Sequence, residues 1–426
     1  IPAAEFGRIT GRTDMGVPAT PLHLAVERGD MDVLKMLARR RVDWNVPDFY
    51  GRSPLHLAVL SGRRDIALFL LKAGADPNDE DIAGETPLSY SIAVNPEIAG
   101  LIIDRGVDRV SKSAIRSAVT VGDDRLDILK RILPKGDTDE DTLRTAYQYC
   151  NVAVTEFLAD KLRDGKMSPS DAVAEAKKNR DSRLAEVAKR HDRKKVERKN
   201  GGIAGKRGRF IHTIEEWSPY CDWSIDKDLK KYPVSVYVPE SYTGGKPYGL
   251  MVFLYGGRPS HSYPRADYIK TLDNHEIIWV GFSAYNGVGG DYDNNHEVFV
   301  LAAVYAIQRY YSIDPGRIYM GGLSWGGRLT GRIVLNRPDI FSGGIGMGGC
   351  FSTSMWGIID SRDRVRLVLS AGDYDFNRNE AYKYQSAFIA AGVRGVYFMQ
   401  EPYRGHEVLS GPYFERAMRL IDGENR

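Results

Sequence analysis

The feature that most constrains the fold of this chain is an apolar motif that recurs at a fixed interval in its N-terminal part. Residues 20–26 (TPLHLAV) return as residues 53–59 (SPLHLAV) and again as residues 86–90 (TPLSY), so the motif starts every 33 positions. A period of this length is typical of repeat proteins, in which each unit buries its apolar face only against its neighbours. The N-terminal part is therefore predicted to be a quasi-linear stack of similar units.

Each motif is followed by a short break and a second apolar segment, which predicts a pair of helices in every unit. The breaks are residues 29–30 (GD) and 62–63 (GR), and the second unit closes with residues 72–78 (KAGADPN). Gly74 in that closing segment suits the left-handed turn that ends a helix. Motif, break and closing loop together resemble the ankyrin repeat family. The resemblance implies an all-α solenoid that binds a protein partner, or one that packs on the C-terminal half of the chain and walls one side of a pocket there.

The repeat pattern weakens toward the middle of the chain, and this change suggests the domain boundaries. We predict an ankyrin domain at residues 1–192, with three clear repeats at 13–110 and degenerate repeats and a polar cap at 111–192. A basic linker is predicted at residues 193–209 and a second domain at 210–426. The linker is rich in Lys, Arg and Gly and has few apolar anchors, so it is interpreted as a solvated connection.

His23 and His56 occupy the same place in two motifs, which raises the question of a metal site. No carboxylate or cysteine recurs with them. Each ring is therefore predicted to form a hydrogen bond to the Thr or Ser at the start of its own helix.

Composition narrows the classes of function. The formal net charge of +3 is nearly balanced, so the chain is not predicted to bind nucleic acid. No apolar run approaches the roughly 18 residues that a membrane-spanning helix needs. The three cysteines form no short CxxC pair, which argues against a zinc ribbon or a disulfide-dense scaffold. We expect neither a metal nor a cofactor.

In the C-terminal half, short apolar runs alternate with helical patterns. The runs are residues 234–238, 249–255, 277–283, 317–323, 342–347, 364–370 and 395–400, and the helical segments are 297–310, 327–336 and 380–391. This alternation favours an α/β fold, in which a mainly parallel sheet has helices on both faces. Functional residues are then expected where the strands end.

Residues 322–326 (GLSWG) fit the G-x-S-x-G pattern of a nucleophilic serine on a sharp turn from strand to helix. An apolar strand segment at 318–320 precedes the turn, and a helical pattern at 327–335 follows it. The glycines two positions before and after Ser324 relieve crowding at the turn. Ser324 is therefore the candidate nucleophile.

The longer run at residues 314–327 (DPGRIYMGGLSWGG) closely resembles the α/β-hydrolase superfamily. Within that superfamily it is most similar to esterases of the feruloyl esterase, acetylxylan esterase and polyhydroxybutyrate depolymerase type. Such enzymes also carry an acid after the seventh strand and a Gly-His pair near the end of the chain. The resemblance covers the C-terminal half of the chain and implies hydrolysis of esters without a cofactor.

The acid and the base of the catalytic triad are expected in that order after Ser324. Asp375 lies three residues past Gly372, the usual spacing of the acid in this fold, and Asp373 is the alternative. His406, in the Gly-His pair after the last predicted strand, is the candidate base.

The oxyanion hole needs two backbone N–H groups directed at the developing negative charge. We predict that Trp325 and Gly257 supply them, because Trp325 follows the nucleophile and Gly257 lies in the glycine turn after a predicted strand. The candidate pocket residues are Tyr255, Gly256, Trp356 and Tyr374.

The predicted function is a serine carboxylic-ester hydrolase that forms an acyl-enzyme on Ser324. Aromatic residues beside the catalytic loops favour acetyl or aromatic-acyl esters of carbohydrates as substrates. Two alternatives stay open. One is a serine peptidase of the prolyl-oligopeptidase type, and the other is an ankyrin binding scaffold with an inactive hydrolase domain.

Overall fold

The computed structural model divides the chain into two compact units. Ile1–Glu186 and Tyr382–Arg394 form the first unit, and Val187–Ala381 and Gly395–Arg426 form the second. The structure describes residues 20–40, 42–107, 109–136, 140–149, 151–159, 168–191, 196–220, 233–256, 263–283, 295–349, 364–393 and 395–423. The units differ from the predicted domains chiefly because Tyr382–Arg394 belongs to the first unit.

Short helices arranged in pairs build the first unit. Thr20, Ser53 and Thr86 each precede the first helix of a pair, and a proline follows at a position where its missing N–H costs no hydrogen bond. The helices are α1 (Pro21–Arg28), α2 (Met31–Ala38), α3 (Pro54–Leu60), α4 (Arg64–Ala73), α5 (Pro87–Val94), α6 (Pro96–Asp104), α7 (Lys112–Val121), α8 (Leu126–Ile132), α9 (Glu140–Gln148), α10 (Val152–Ala159) and α11 (Pro169–His191). Both the regular and the weaker predicted pairs are therefore present.

His23 and His56 link successive repeats. Each Nδ1 atom lies near the hydroxyl at the start of its own helix, 2.8 Å from Thr20 Oγ1 and 2.9 Å from Ser53 Oγ. Each Nε2 atom lies near a backbone carbonyl oxygen of the next repeat, at 3.0 Å from Arg52 and 3.2 Å from Glu85. Both histidines are buried. Their Nδ1 contacts are those predicted from the sequence, whereas the Nε2 contacts to the next repeat were not predicted.

Inside the first unit, a buried cluster joins Tyr382 to two repeat loops. Asp81 Oδ2 accepts hydrogen bonds of 2.7 Å from the hydroxyls of both Tyr90 and Tyr382. The Tyr382 ring stacks on Tyr50 with 4.2 Å between centroids, and the Arg52 guanidinium lies 5.6 Å from the Tyr382 centroid. Burial raises the pKa of Tyr382, so its hydroxyl remains protonated and able to donate.

The second unit contains a sheet of eight described strands in the order β1-β2-β4-β3-β5-β6-β7-β8. The strands are β1 (Gly208–His212), β2 (Val234–Val238), β3 (Tyr248–Tyr255), β4 (Ile277–Ser283), β5 (Ile313–Leu323), β6 (Gly343–Met347), β7 (Arg366–Gly372) and β8 (Gly395–Glu401). The pairs β1–β2 and β2–β4 are antiparallel, and the other pairs are parallel. Every residue of β2 and β6 is buried, as expected for a sheet that is covered on both faces.

Five more α-helices lie in the described residues after α11. They are α12 (Ile269–Asn274), α13 (Asn295–Gln308), α14 (Trp325–Asn336), α15 (Arg378–Ala390) and α16 (Gly411–Asp422). Helix α15 begins in the second unit and enters the first at Tyr382. Within the described residues, no helix combines the length and apolar character that a membrane crossing requires.

The described part of the predicted linker, residues 196–209, corrects one interpretation. The Lys199 N–H donates to the Arg309 carbonyl oxygen at 2.6 Å, and the Tyr311 hydroxyl lies 2.6 Å from the Ile203 carbonyl oxygen and 2.9 Å from that of Lys206. The last residues of the segment form part of β1. This stretch therefore packs within the second unit and is not a solvated connection, because its backbone groups are hydrogen-bonded to Arg309 and Tyr311, just after helix α13.

Candidate active site

The candidate catalytic residues follow the ends of neighbouring parallel strands. Leu323 of β5 pairs with Met347 of β6, and Gly372 of β7 pairs with Glu401 of β8. The loops after these four strands carry, in order, Ser324, Gly348, Asp375 and His406. The carboxyl edge of the sheet thus brings together residues that are far apart in the sequence.

Ser324 occupies the bend between β5 and α14. Its backbone angles are φ 57° and ψ −118°, a conformation that a residue with a Cβ rarely adopts. The Ser324 N–H donates to the Met347 carbonyl oxygen at 2.8 Å, which fixes the bend against the end of β6. The predicted nucleophile therefore lies on a strained strand-to-helix turn of the kind that exposes a reactive hydroxyl.

The two glycines that flank Ser324 allow backbone contacts that no larger residue would permit. A Cβ on Gly322 would lie 2.3 Å from the Gly326 carbonyl carbon, and a Cβ on Gly326 would lie 2.1 Å from the Leu254 carbonyl oxygen. Both distances are far below van der Waals contact. The G-x-S-x-G pattern is thus required by the close approach of this turn to itself and to β3.

His406 and Asp375 form a hydrogen-bonded pair. The distance from His406 Nδ1 to Asp375 Oδ1 is 3.1 Å, and the same oxygen accepts the Asn377 N–H at 2.8 Å. The Asp375 side chain is fully buried, whereas 23% of the His406 side chain is exposed. A buried carboxylate at Nδ1 orients the ring and leaves Nε2 as the atom that can accept a proton.

Asp373, the alternative acid, is engaged elsewhere. Its Oδ1 accepts a hydrogen bond from Gln400 Nε2 at 2.5 Å, and its Oδ2 accepts the Tyr403 N–H at 3.1 Å. These contacts join the loop after β7 to the end of β8. The geometry therefore supports Asp375 as the partner of His406.

Gly348 connects the nucleophile to the histidine pair, and the sequence analysis did not single it out. It follows Met347, which binds the Ser324 backbone, and a Cβ on Gly348 would lie 2.8 Å from Asp375 Oδ2 and 2.9 Å from His406 Nδ1. The glycine-rich run GGIGMGG at 343–349 was the available signal. The Ser324 and His406 side chains, both within the described residues, are not hydrogen-bonded to each other. In serine hydrolases this contact often tightens only when substrate binds.

The loop after β3 lies directly against the nucleophile turn. A Cβ on Gly256 would lie 2.8 Å from Ser324 Cβ and 2.9 Å from the Trp325 nitrogen. The backbone of this loop therefore reaches the predicted oxyanion donor Trp325. Gly257, the second predicted donor, lies outside the described residues, as does the pocket candidate Trp356.

Exposed aromatic residues lie on the loops that carry the histidine pair. Tyr374 and Tyr403 are each 73% exposed and Phe376 is 77% exposed, and the Phe376 and His406 ring centroids are 4.4 Å apart. Tyr255, at the end of β3, is half-buried, and burial raises its pKa to about 12, so its hydroxyl is protonated near neutral pH. The two loops that carry Asp375 and His406 thus expose three aromatic residues, one of which contacts the His406 ring.

The described residues contain no group of three or more His, Cys, Asp or Glu side chains arranged to hold a metal ion. The acidic residues after β7 are used in hydrogen bonds to His406, Gln400 and backbone N–H groups. The described residues of this site include a hydroxyl at Ser324, an imidazole at His406 and a carboxylate at Asp375.

Comparison with known proteins identifies two segments of the chain. Residues 8–81 match the family model of ankyrin repeats, in three copies, and residues 290–393 match that of the prolyl oligopeptidase family. The second segment contains Ser324 and Asp375. No curated protein sequence matches the chain.

Three solved structures illustrate the range of similar folds. An S-formylglutathione hydrolase from Staphylococcus aureus is 14% identical over 45% of this chain and 91% of its own, with a TM-score of 0.36. A ferulic acid esterase is 17% identical over 50% of this chain and 99% of its own, with a TM-score of 0.38. Dipeptidyl peptidase 4 from Porphyromonas gingivalis is 15% identical over 50% of this chain and 35% of its own, with a TM-score of 0.36. The strand order and the two family matches confirm the predicted fold class.

Proposed function

We propose that this chain, in which ankyrin repeats precede a serine hydrolase domain, hydrolyses carboxylic esters through an acyl-enzyme on Ser324. The observation that carries the proposal is the arrangement at the carboxyl edge of the sheet. Ser324 is held on a strained bend by Met347, and the next residue, Gly348, contacts the His406–Asp375 pair.

In the proposed mechanism, His406 Nε2 removes the proton from Ser324 Oγ as that oxygen attacks the ester carbonyl carbon. Asp375 holds the ring through Nδ1 and stabilises the imidazolium that forms. The N–H groups of Trp325 and Gly257 donate hydrogen bonds to the tetrahedral oxyanion. The proton then passes from His406 to the leaving alcohol, and a water activated by the same ring hydrolyses the acyl-enzyme.

The exposed aromatic residues near the candidate site favour one class of ester substrate. Tyr374, Phe376 and Tyr403 are exposed on the loops that carry Asp375 and His406, and Phe376 contacts the His406 ring. Such rings stack on planar aromatic groups and on the apolar faces of sugars. We therefore propose acetyl or aromatic-acyl esters of carbohydrates as the substrate class.

A serine peptidase is the second candidate function, because residues 290–393 match the prolyl oligopeptidase family. The same triad would attack a peptide carbonyl. Parallel assays on short peptide amides and on aryl and feruloyl esters separate the two candidates, and the ester proposal expects the larger kcat/KM for the esters.

Substitution of the nucleophile tests the catalytic assignment. Ser324→Ala should lower kcat for an aryl acetate by about 10⁶-fold and abolish labelling by a fluorophosphonate probe, because the acyl-enzyme cannot form. Ser342→Ala, which removes a serine hydroxyl bonded to the Gly316 carbonyl oxygen, serves as the control. Near-normal turnover by Ser324→Ala would show that the reaction does not use this residue.

We further propose that the repeats bind a protein partner. Phe49 and Ile82 lie 33 positions apart, at equivalent places in two successive repeats, and both are exposed. Large apolar side chains that recur on the surface of a stack are suited to contact another protein.

A further inference from the structure

We infer that Asp373 is a positioning residue for His406, acting through the backbone of Tyr403. The carboxylate holds the turn from which the histidine loop begins. The inference rests on the proposed function, because it assigns a role in the activation of Ser324 by His406.

The contacts of Asp373 link two loops of the site. Its two carboxylate oxygens accept hydrogen bonds from different residues, Gln400 Nε2 at 2.5 Å and the Tyr403 N–H at 3.1 Å. Gln400 lies within β8, and Tyr403 comes two residues after the end of that strand. One side chain therefore fixes both the end of β8 and the first turn beyond it.

The backbone of Tyr403 needs such support. Its φ is 59°, and the described residues contain only two other non-glycine residues with positive φ, Glu276 and Ser324. A residue with a Cβ in this conformation is strained. The Tyr403 side chain is 73% exposed, so burial of the ring does not compensate for the strain. The hydrogen bond from the Tyr403 N–H to the carboxylate is suited to hold the turn in place.

The histidine loop is fixed at both ends. At its start, Asp373 accepts the Tyr403 N–H, and at its end Glu401 Oε2 accepts the Ser410 N–H at 2.9 Å. His406 lies between these points, three residues after Tyr403. A change in the turn at Tyr403 would therefore move the ring relative to Ser324.

The backbone contacts around Asp373 do not depend on its charge. The Asp373 N–H donates to the Glu401 carbonyl oxygen at 3.2 Å, and the Tyr374 N–H donates to the Arg404 carbonyl oxygen at 2.9 Å. Asp373→Asn retains these bonds. Its neutral amide offers one oxygen and one NH2 group in place of two charged oxygens. The bond to the Tyr403 N–H therefore loses the carboxylate charge, and the contact with Gln400 is kept only as a neutral one, with the Gln400 amide turned over. The substitution thus weakens the support with little change to the rest of the fold.

The rate of labelling of Ser324 by a fluorophosphonate tests the inference. In this reaction Ser324 Oγ forms a bond to phosphorus, fluoride leaves, and His406 takes the hydroxyl proton, so the rate reports on the alignment of His406. We expect Asp373→Asn to lower the labelling rate and the kcat for an ester by about tenfold to one hundredfold, as for other small displacements of a catalytic group. KM should change little.

A second substitution distinguishes positioning from general destabilisation. Glycine adopts φ 59° without the Cβ strain, so Tyr403→Gly in the Asp373→Asn background should restore most of the rate. Tyr403→Ala in the same background also removes the ring but keeps the Cβ, and it should restore nothing. Tyr403→Gly should not restore the rate of Asp375→Asn, because that variant loses the carboxylate that is bonded to His406 Nδ1.

Each result has one meaning. If the unsubstituted chain is not labelled, the proposed function fails. If it is labelled and Asp373→Asn reacts at the same rate, or if glycine and alanine at position 403 behave alike, the positioning role is overturned. Thermal unfolding of each variant checks that it is folded. If Asp373→Asn is unfolded, Asp373→Ser, which also keeps one oxygen acceptor, takes its place.

Discussion

At the scale of single residues, the site depends on a glycine that has no reactive group. Gly348 has a φ of 53°, and the space that a Cβ would occupy is filled by atoms of Asp375 and His406. A side chain at this position would strain the backbone and also displace the pair.

We expect Gly348→Ala to lower kcat for ester hydrolysis by about one hundredfold, because a displacement on the order of 1 Å at a catalytic group costs that much. The free energy of unfolding should fall by only about 1–2 kcal/mol, the cost of this φ for alanine. Steady-state kinetics and urea denaturation measure the two effects. Gly405→Ala is the matched control, since it also adds a Cβ beside His406 but meets no atom within 4 Å. Equal activity of the two variants would contradict the assigned role.

The sequence predicts the strand-to-helix bend at Ser324 because the turn constrains its neighbours along the chain, and those neighbours are visible as glycines. The pairing of Asp375 with His406 follows from their order after it. The contacts of Gly348 and Asp373 are not visible in the same way, because each involves the later loop that carries His406. The catalytic roles of Ser324, Asp375 and His406, like those of Gly257 and Trp356, stay predictions.

At the scale of elements, the repeats are joined by buried histidines whose protonation is unfavourable. Desolvation by burial lowers the pKa of His56 to about 4 and also lowers that of His23. Above pH 6.5 both rings are neutral in the folded and unfolded chain, and their titration does not affect stability. Below that pH the unfolded chain binds protons that the folded chain does not, so the stack loses stability as pH falls.

We expect the free energy of unfolding of the first unit to decrease between about pH 6.5 and pH 4, with His56 contributing on the order of 3 kcal/mol at the lower end. His56→Ser, which copies Ser89 of the next repeat, should be less stable near pH 7.5 because it loses the bond to the Glu85 carbonyl oxygen. It should also depend less on pH. Urea denaturation across this pH range provides the measurement, and an unchanged pH dependence in His56→Ser would refute the assignment.

The elements differed in how well the sequence predicted them. The helix pairs of the first unit were predicted because the 33-residue period repeats the same signal. Strand β1 was missed because only Phe210 among its five residues is buried, which gives almost no apolar pattern. Helix α12 has six residues, too few for a helical period to be recognised. Helix α16 did carry a signal, since Phe414, Met418 and Ile421 are buried on one face.

At the scale of the whole molecule, one compact unit contains two segments that are far apart in the sequence. Residues 210–426 were predicted as one continuous domain, yet Tyr382–Arg394 belongs to the first unit. One contact within this unit joins Asp81 to Tyr382. A pairing between such distant positions leaves no periodic trace in a single sequence.

We expect Tyr382→Phe to lower the free energy of unfolding of the first unit by about 1–2 kcal/mol, because a buried hydrogen bond to a carboxylate is lost. Asp81→Asn should also destabilise the unit, and the double variant should lose less than the sum of the two. Chemical denaturation monitored by the transition of the first unit measures these effects. Tyr397→Phe, on the partly exposed face of β8, is the control, and strictly additive losses would argue against the pairing.

The discontinuity of the first unit has a consequence for protein synthesis. A ribosome releases Tyr50 and Asp81 well before Tyr382, whose ring and hydroxyl complete their surroundings, and Asp81 and Tyr382 are 301 positions apart. Domains generally fold as they leave the ribosome, beginning with the N-terminal one. The bond between Asp81 and Tyr382 can form only after those further residues have been synthesised, so a product that ends between the two lacks the stabilisation that this bond gives the repeats.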